Sequence, residues 1–193
     1  RYWKRDIGLK TGDPRTFDTY EKFEDAVKKQ MAYQIKMAVA SVHVSEQAHM
    51  KKLPKTVRSI LTEGCVENGT DCLFGGARFN NGPGLETTGL TDLVDSMAAV
   101  KKLGYDKVFT MDQLVKMLEA DFEGYEVERQ ILINNAPKYG NDDPYVDNIA
   151  KEMMDFSYEV TSSYKNLLGY SFVTGNVPVI ANVPHGEVTC ALP

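Results

Sequence analysis

From Asp18 to about His49 the chain sets Phe23, Val27, Met31 and Ile35 four residues apart among mostly polar neighbours. That spacing lays an apolar stripe along one face of a long helix and is out of phase with a strand. Asp18, with Glu21 three residues on, reads as the capping box that opens it. Shorter helical patterns follow. One runs from Lys55 to Glu63 behind Pro54, and another starts at about Thr91 with Leu93, Val94, Met97 and Val100 in phase. Thr110-Met-Asp-Gln113 is a second capping box, ahead of a stripe of Leu114, Met117, Leu118 and Phe122. Tyr125 to Asn135 reads as helix ending before Pro137, and a last helix runs from about Pro144 to Leu168, with Pro144 suited to a first turn. Only residues 177–184, "VPVIANVP", carry a clear strand pattern, with Pro178 near its start. Residues 1–17 are a turn-rich entry, and residues 64–89 are glycine-rich without periodicity. The fold class is therefore α/β and helix-rich, with few strands for its length.

Composition excludes several roles. Of the 193 residues 42% are hydrophobic, enough for a substantial core. The net charge is −5 and no basic stripe runs along any segment, which argues against nucleic acid as a partner. No apolar run is long enough to cross a bilayer, and no segment has the pattern of a signal peptide. The three cysteines sit at spacings that suit neither a disulfide framework nor a zinc site, which points to a reducing cytoplasm. The chain opens at Arg1 and stops just after the strand pattern, so residues 1–193 read as one internal segment of a larger protein.

Several motifs invite chemistry. "GCVENGTDC" puts Cys65 two residues from Glu67 between glycines, the look of a thiol with a proton partner. Gly82, Gly84 and Gly89 match neither a phosphate-binding loop ending in Gly-Lys-Ser/Thr nor a dinucleotide fingerprint, so tight turns are the better reading. Asn141-Asp142-Asp143 lacks the order of a calcium loop and reads as a turn and cap. His43 and His49, six residues apart, face different sides of a helix and are poor co-ligands, so no metal is expected. His185 lies at the end of the predicted strand, a position that often faces a site in α/β folds. Glu86, in "GPGLETTG", is either a solvated loop glutamate or a desolvated carboxyl suited to hydrogen bonding or proton transfer.

Four stretches carry a family likeness. "GTDCLFGGARFN", "GLTDLVDSMAAVKKL", "FEGYEVERQILINNAPKYGNDDPYVD" and "NVPVIANVPHGEVTCALP" follow one another in the order and spacing of the glycyl radical enzymes. The chain resembles the pyruvate formate-lyase-like group of that family over almost its whole length. The resemblance implies part of a ten-stranded α/β barrel, namely its second half-barrel and the surrounding helices. It implies a radical stored on a glycine outside this segment and installed by a radical SAM activating enzyme. No cofactor is expected within the segment itself. The implied partners are a small-molecule substrate, that activating enzyme and further copies of the parent protein.

The same resemblance assigns roles to residues. In the family the loop with the thiyl-forming cysteine precedes the "KTGDP" turn and its helix. Cys65 follows both, so it matches a later structural cysteine, and Glu67 a helix-end glutamate. The segment then holds neither radical loop and is inactive alone. Its contribution is pocket: Glu86 as the polar, catalytic residue, with Asn182, Val183 and His185 on a barrel wall. Where many dehydratases read Gln-Gly-Val, this chain has Leu85-Glu86-Thr87, which resembles the arylacetate decarboxylases and leans the expected activity that way. A glycyl radical dehydratase or a succinate-adding synthase is the alternative, and an inactive scaffold subunit is a third reading.

Overall fold

The computed structural model describes residues 8–106 and 108–176. In chain order these form α1 (Tyr20–Lys52), α2 (Thr56–Ile60), β1 (Gly84–Thr87), α3 (Leu90–Ala99), α4 (Met111–Glu119), α5 (Glu126–Asn135), α6 (Pro144–Ser163) and β2 (Val173–Asn176). The backbone of α3 continues directly into a wider π-helical turn, Val100–Tyr105. The contacts divide the chain into two compact units. One gathers the residues through Met31 with Thr87–Phe156, the other Ala32–Glu86 with Ser157–Gly175.

In the first unit the stripe read from the sequence is put to use. Phe23, Val27 and Met31 of α1 pack with buried Tyr20 against Leu90, Val94, Met97 and Ala98 of α3 and Val146, Ile149, Ala150 and Met153 of α6. Burying a side chain as large as Met97 or Met153 stabilises by about 1.5–3 kcal/mol. A second cluster joins Leu114 and Met117 of α4, Phe122 of the turn that follows it and Leu132 of α5 to Ala99, Leu103 and Phe109. Leu118, assigned to that stripe, is instead 48% exposed. It lies one residue beyond Met117, about 100° around the helix, and so turns away from the cluster.

The capping box at Thr110 is present: the Thr110 hydroxyl accepts from Gln113 N–H at 3.2 Å while the Gln113 side chain accepts from Thr110 N–H at 2.8 Å. Thr110→Ala will cost about 1 kcal/mol of local stability, read as faster amide exchange across α4 in the intact protein. At the start of α1 the cap falls one residue later than the Asp18 reading. Thr19 Oγ1 accepts from Lys22 N–H at 3.4 Å, and Asp18 pairs with the Lys22 ammonium at 2.7 Å. The last helix also ends earlier, at Ser163 rather than Leu168. There Ser162 and Ser163 turn their hydroxyls back onto the carbonyls of Glu159 and Val160, and Asn166 accepts the N–H groups of Leu168 and Tyr170. These side chains offer the backbone a turn in place of a further helical one.

Candidate functional site

The site residues that fall on described structure all lie in the second unit, in the loop between α2 and β1 and in β1 itself. The loop is closed by its own polar groups. Asp71 accepts from Leu73 N–H with one oxygen and from Lys55 N–H with the other, each at 2.8 Å. These bonds, the one to Leu73 foremost, hold its carboxyl below the usual carboxylate range. Their contribution is complete above pH about 4 and fades as the pH falls below it. Ser59 accepts from Cys72 N–H at 3.0 Å, and the Asn68 amide donates to Gly76 C=O at 2.9 Å. At Gly76 the chain passes so close to itself that a Cβ would lie 1.9 Å from the Thr70 carbonyl oxygen.

Within that closed loop Cys65 is buried, 3% exposed. Burial pushes its thiol up, with Cys72, Asp71 and Glu67 adding in the same direction, so it is held as a thiol and not as the thiolate a nucleophile needs. Glu67 does not face the sulfur with a hydrogen bond. Its carboxylate accepts from Gly64 N–H at 3.1 Å, the role of a turn residue. The local geometry thus supports a structural part for both residues. Cys65→Ala in the intact protein is expected to leave turnover within about twofold of wild type, as a packing change away from the chemistry does. Abolished turnover after anaerobic activation would instead give Cys65 a part in the radical chemistry.

β1 was not anticipated: Gly84-Leu-Glu-Thr87 falls where the sequence lacks periodicity. The strand forms because β2 is there to pair with it. Val173 N–H donates to Pro83 C=O at 3.1 Å, and the Thr174 hydroxyl donates to Leu85 C=O at 3.1 Å. Close approach makes the pairing possible. A Cβ on Gly82 would sit 1.7 Å from the Ser171 carbonyl oxygen. Beneath, Phe172 is fully buried beside the His43 ring, whose centroid lies 5.7 Å away, and His43 Nε2, carrying its proton, donates to Lys165 C=O at 2.9 Å.

Glu86 stands on β1 between half-buried Leu85 and Thr87, its own side chain exposed. Among the described residues no group hydrogen-bonds or ion-pairs with it. A carboxyl so placed is open to accept from a hydroxyl or ammonium group, or to take up a proton. Asn182, Val183 and His185 lie outside the described residues, as does the strand pattern at 177–184. Among the described residues no three His, Cys, Asp or Glu side chains gather to hold a metal ion. Thr174 was not singled out in the sequence, because a hydroxyl residue six positions after the end of a helix-like run carries no signal of its own; Gly82 was read only as one of several turn glycines.

Over residues 2–186 the chain matches the family model described as pyruvate formate lyase-like. It is 36% identical over 191 residues to the trans-4-hydroxy-L-proline dehydratase of Clostridioides difficile, covering 98% of this chain and 24% of that protein. To the isethionate sulfite-lyase of Bilophila wadsworthia it is 33% identical over 198 residues, covering 100% of this chain and 23% of that one. The glycerol-bound form of the B12-independent glycerol dehydratase from Clostridium butyricum superposes with a TM-score of 0.89 at 33% identity, over 95% of this chain and 23% of its own. The indoleacetate decarboxylase of Tractidigestivibacter scatoligenes matches over less, 31% identity across 166 residues and 72% of this chain. The chain spans about a quarter of the length of the first three.

Proposed function

The chain belongs to the pyruvate formate lyase-like family of glycyl radical enzymes, and from that premise we propose that the intact protein is a radical lyase that eliminates a polar group from a small organic substrate. The observation that carries this reading is coverage. The relatives that match 98% and 100% of the chain are a dehydratase and a sulfite-lyase, whereas the decarboxylase matches 72%. The leaning toward an arylacetate decarboxylase is kept as the second reading. Glu86 and that decarboxylase match favour it.

In either reading the stored radical supplies hydrogen abstraction from the substrate, and the part of this segment is to shape the pocket. Glu86 receives a hydroxyl, ammonium or carboxyl group of the substrate through hydrogen bonds and holds it in one orientation while a neighbouring bond breaks. The family likeness extends the same role to Asn182, Val183 and His185. The segment contains neither radical loop and is inactive by itself. The intact protein works in the cytoplasm as a homo-oligomer, after a radical SAM activating enzyme has acted on it.

The test is an anaerobic assay of the intact protein, co-expressed with its activating enzyme and offered trans-4-hydroxy-L-proline, glycerol, isethionate, phenylacetate and indoleacetate separately. Loss of water or sulfite from one of the first three is the expected result. Carbon dioxide from an arylacetate, with no elimination, would replace it by the second reading. A protein that carries the radical and turns over none of the five would leave neither standing.

A further inference from the structure

We infer that Thr174 is a positioning residue for Glu86, and this rests on the reading of Glu86 as a pocket residue. The Thr174 hydroxyl donates to Leu85 C=O at 3.1 Å. That oxygen belongs to the peptide group whose nitrogen is Glu86 N, and the peptide group is planar. Pinning its oxygen therefore fixes both ψ of Leu85 and φ of Glu86, the two angles that aim the Glu86 side chain.

Just before β1, Val173 N–H donates to Pro83 C=O at 3.1 Å, and β1 and β2 are hydrogen-bonded neighbours. To that backbone pairing the Thr174 hydroxyl adds a side-chain bond at the peptide group next to Glu86. Among the described residues no group bonds the Glu86 carboxylate, so the aim of Glu86 depends on the backbone that carries it, and β2 steadies that backbone with a side chain as well as with its main chain.

Thr174→Val keeps the shape and removes the hydroxyl, while Thr174→Ser keeps the hydroxyl. Both are made in the intact protein and compared with Glu86→Gln and with the Thr174→Val/Glu86→Gln double variant. With whichever of the five compounds above is turned over, Thr174→Val is expected to lower kcat about five- to tenfold, the size of one lost hydrogen bond. KM should stay within about twofold, since binding is kept while aim is lost. Thr174→Ser should restore kcat, and the double variant should be no slower than Glu86→Gln alone. Amide exchange at residues 84–87 should quicken in Thr174→Val and not in Thr174→Ser. If Glu86→Gln is slow while Thr174→Val turns over at the wild-type rate, the positioning role is wrong. If Glu86→Gln itself is at the wild-type rate, the pocket reading of Glu86 fails instead. A Thr174→Val loss that Thr174→Ser does not repair, or that adds fully to Glu86→Gln, assigns Thr174 to general packing and overturns the inference.

Discussion

Glu86→Gln in the anaerobically activated intact protein is expected to lower kcat/KM by about 10²–10³-fold, the range for removing a positioned acid–base group or a charged hydrogen-bond partner. Glutamine matches glutamate in size and keeps one acceptor oxygen, so packing on β1 is preserved and the missing quantity is the acidic group. The exposure of Glu86 makes the test clean. With no described residue bonded to its carboxyl, the substitution breaks no bond among the described residues, and the melting temperature should not move. Glu86→Asp, which withdraws the carboxyl by one methylene, should fall between the two. A Glu86→Gln enzyme within threefold of wild type, or one equally impaired in stability, would remove Glu86 from the pocket. The size of the effect also bears on the reaction. A protein that uses Glu86 only in the chemical step should respond to Glu86→Gln mainly in kcat, and one that binds a hydroxyl or ammonium group there in both kcat and KM.

The largest structural effect is expected at Gly82, two residues before β1. Gly82→Ala forces a methyl group to within 1.7 Å of the Ser171 oxygen and 2.5 Å of its carbon, both backbone atoms that cannot rotate aside. The neighbouring chain is held on each side. Phe172 N–H donates to Tyr164 C=O at 3.0 Å, Asn166 N–H to Tyr170 C=O at 2.8 Å, and the Phe172 ring is fully buried. Relief must therefore come from parting β1 from β2 or from lifting Phe172 out of its packing. A cost of about 3 kcal/mol or more is expected, at the upper end for overpacking. Gly84→Ala is the internal control. Its added methyl meets nothing within 4 Å, and the change should be within about 1 kcal/mol of neutral. Denaturant melts of the two variants decide the matter. Equal stabilities would mean that the close approach at Gly82 is not maintained in solution.

What the sequence disclosed and what it withheld follow from the range of the interactions concerned. Thr110 and Gln113 satisfy each other across one helical turn, so four letters suffice to read them. The stripe Phe23, Val27, Met31 is equally local, and it names the face that is buried without naming its partners on α3 and α6. The cap at Thr19 was misplaced because Asp18 is an equally good acceptor. The choice was settled by Lys22, which draws the Asp18 carboxylate away from the helix end. β1 was invisible for a different reason. Three of its four residues are small or polar, so no apolar alternation shows, and the strand exists through its pairing with β2, almost ninety positions along. Glu86 was legible as a lone carboxyl in glycine-rich surroundings. Its placement beside Thr174 was not, because that proximity belongs to the pairing and to neither segment alone. The π-helical turn at Val100–Tyr105 likewise has no local cause in its letters. Gly104 fits there against Leu114 Cδ1, 3.0 Å from where a Cβ would stand, so the turn is selected by what packs on it.

The unequal shelter of the two cysteines in the described structure turns the loop into its own timepiece. Cys72 is half exposed, while Cys65 is covered and held in its protonated form. A maleimide or iodoacetamide added to the folded protein should alkylate Cys72 promptly and reach Cys65 only during moments when the loop comes undone. The lag between the two adducts, followed by peptide mass spectrometry, then counts how often the bonds of Asp71, Ser59 and Asn68 let go. Handling in air makes the same distinction: the outer sulfur is the one to blocking agents and oxidants first, and its modification can be monitored without disturbing the inner one.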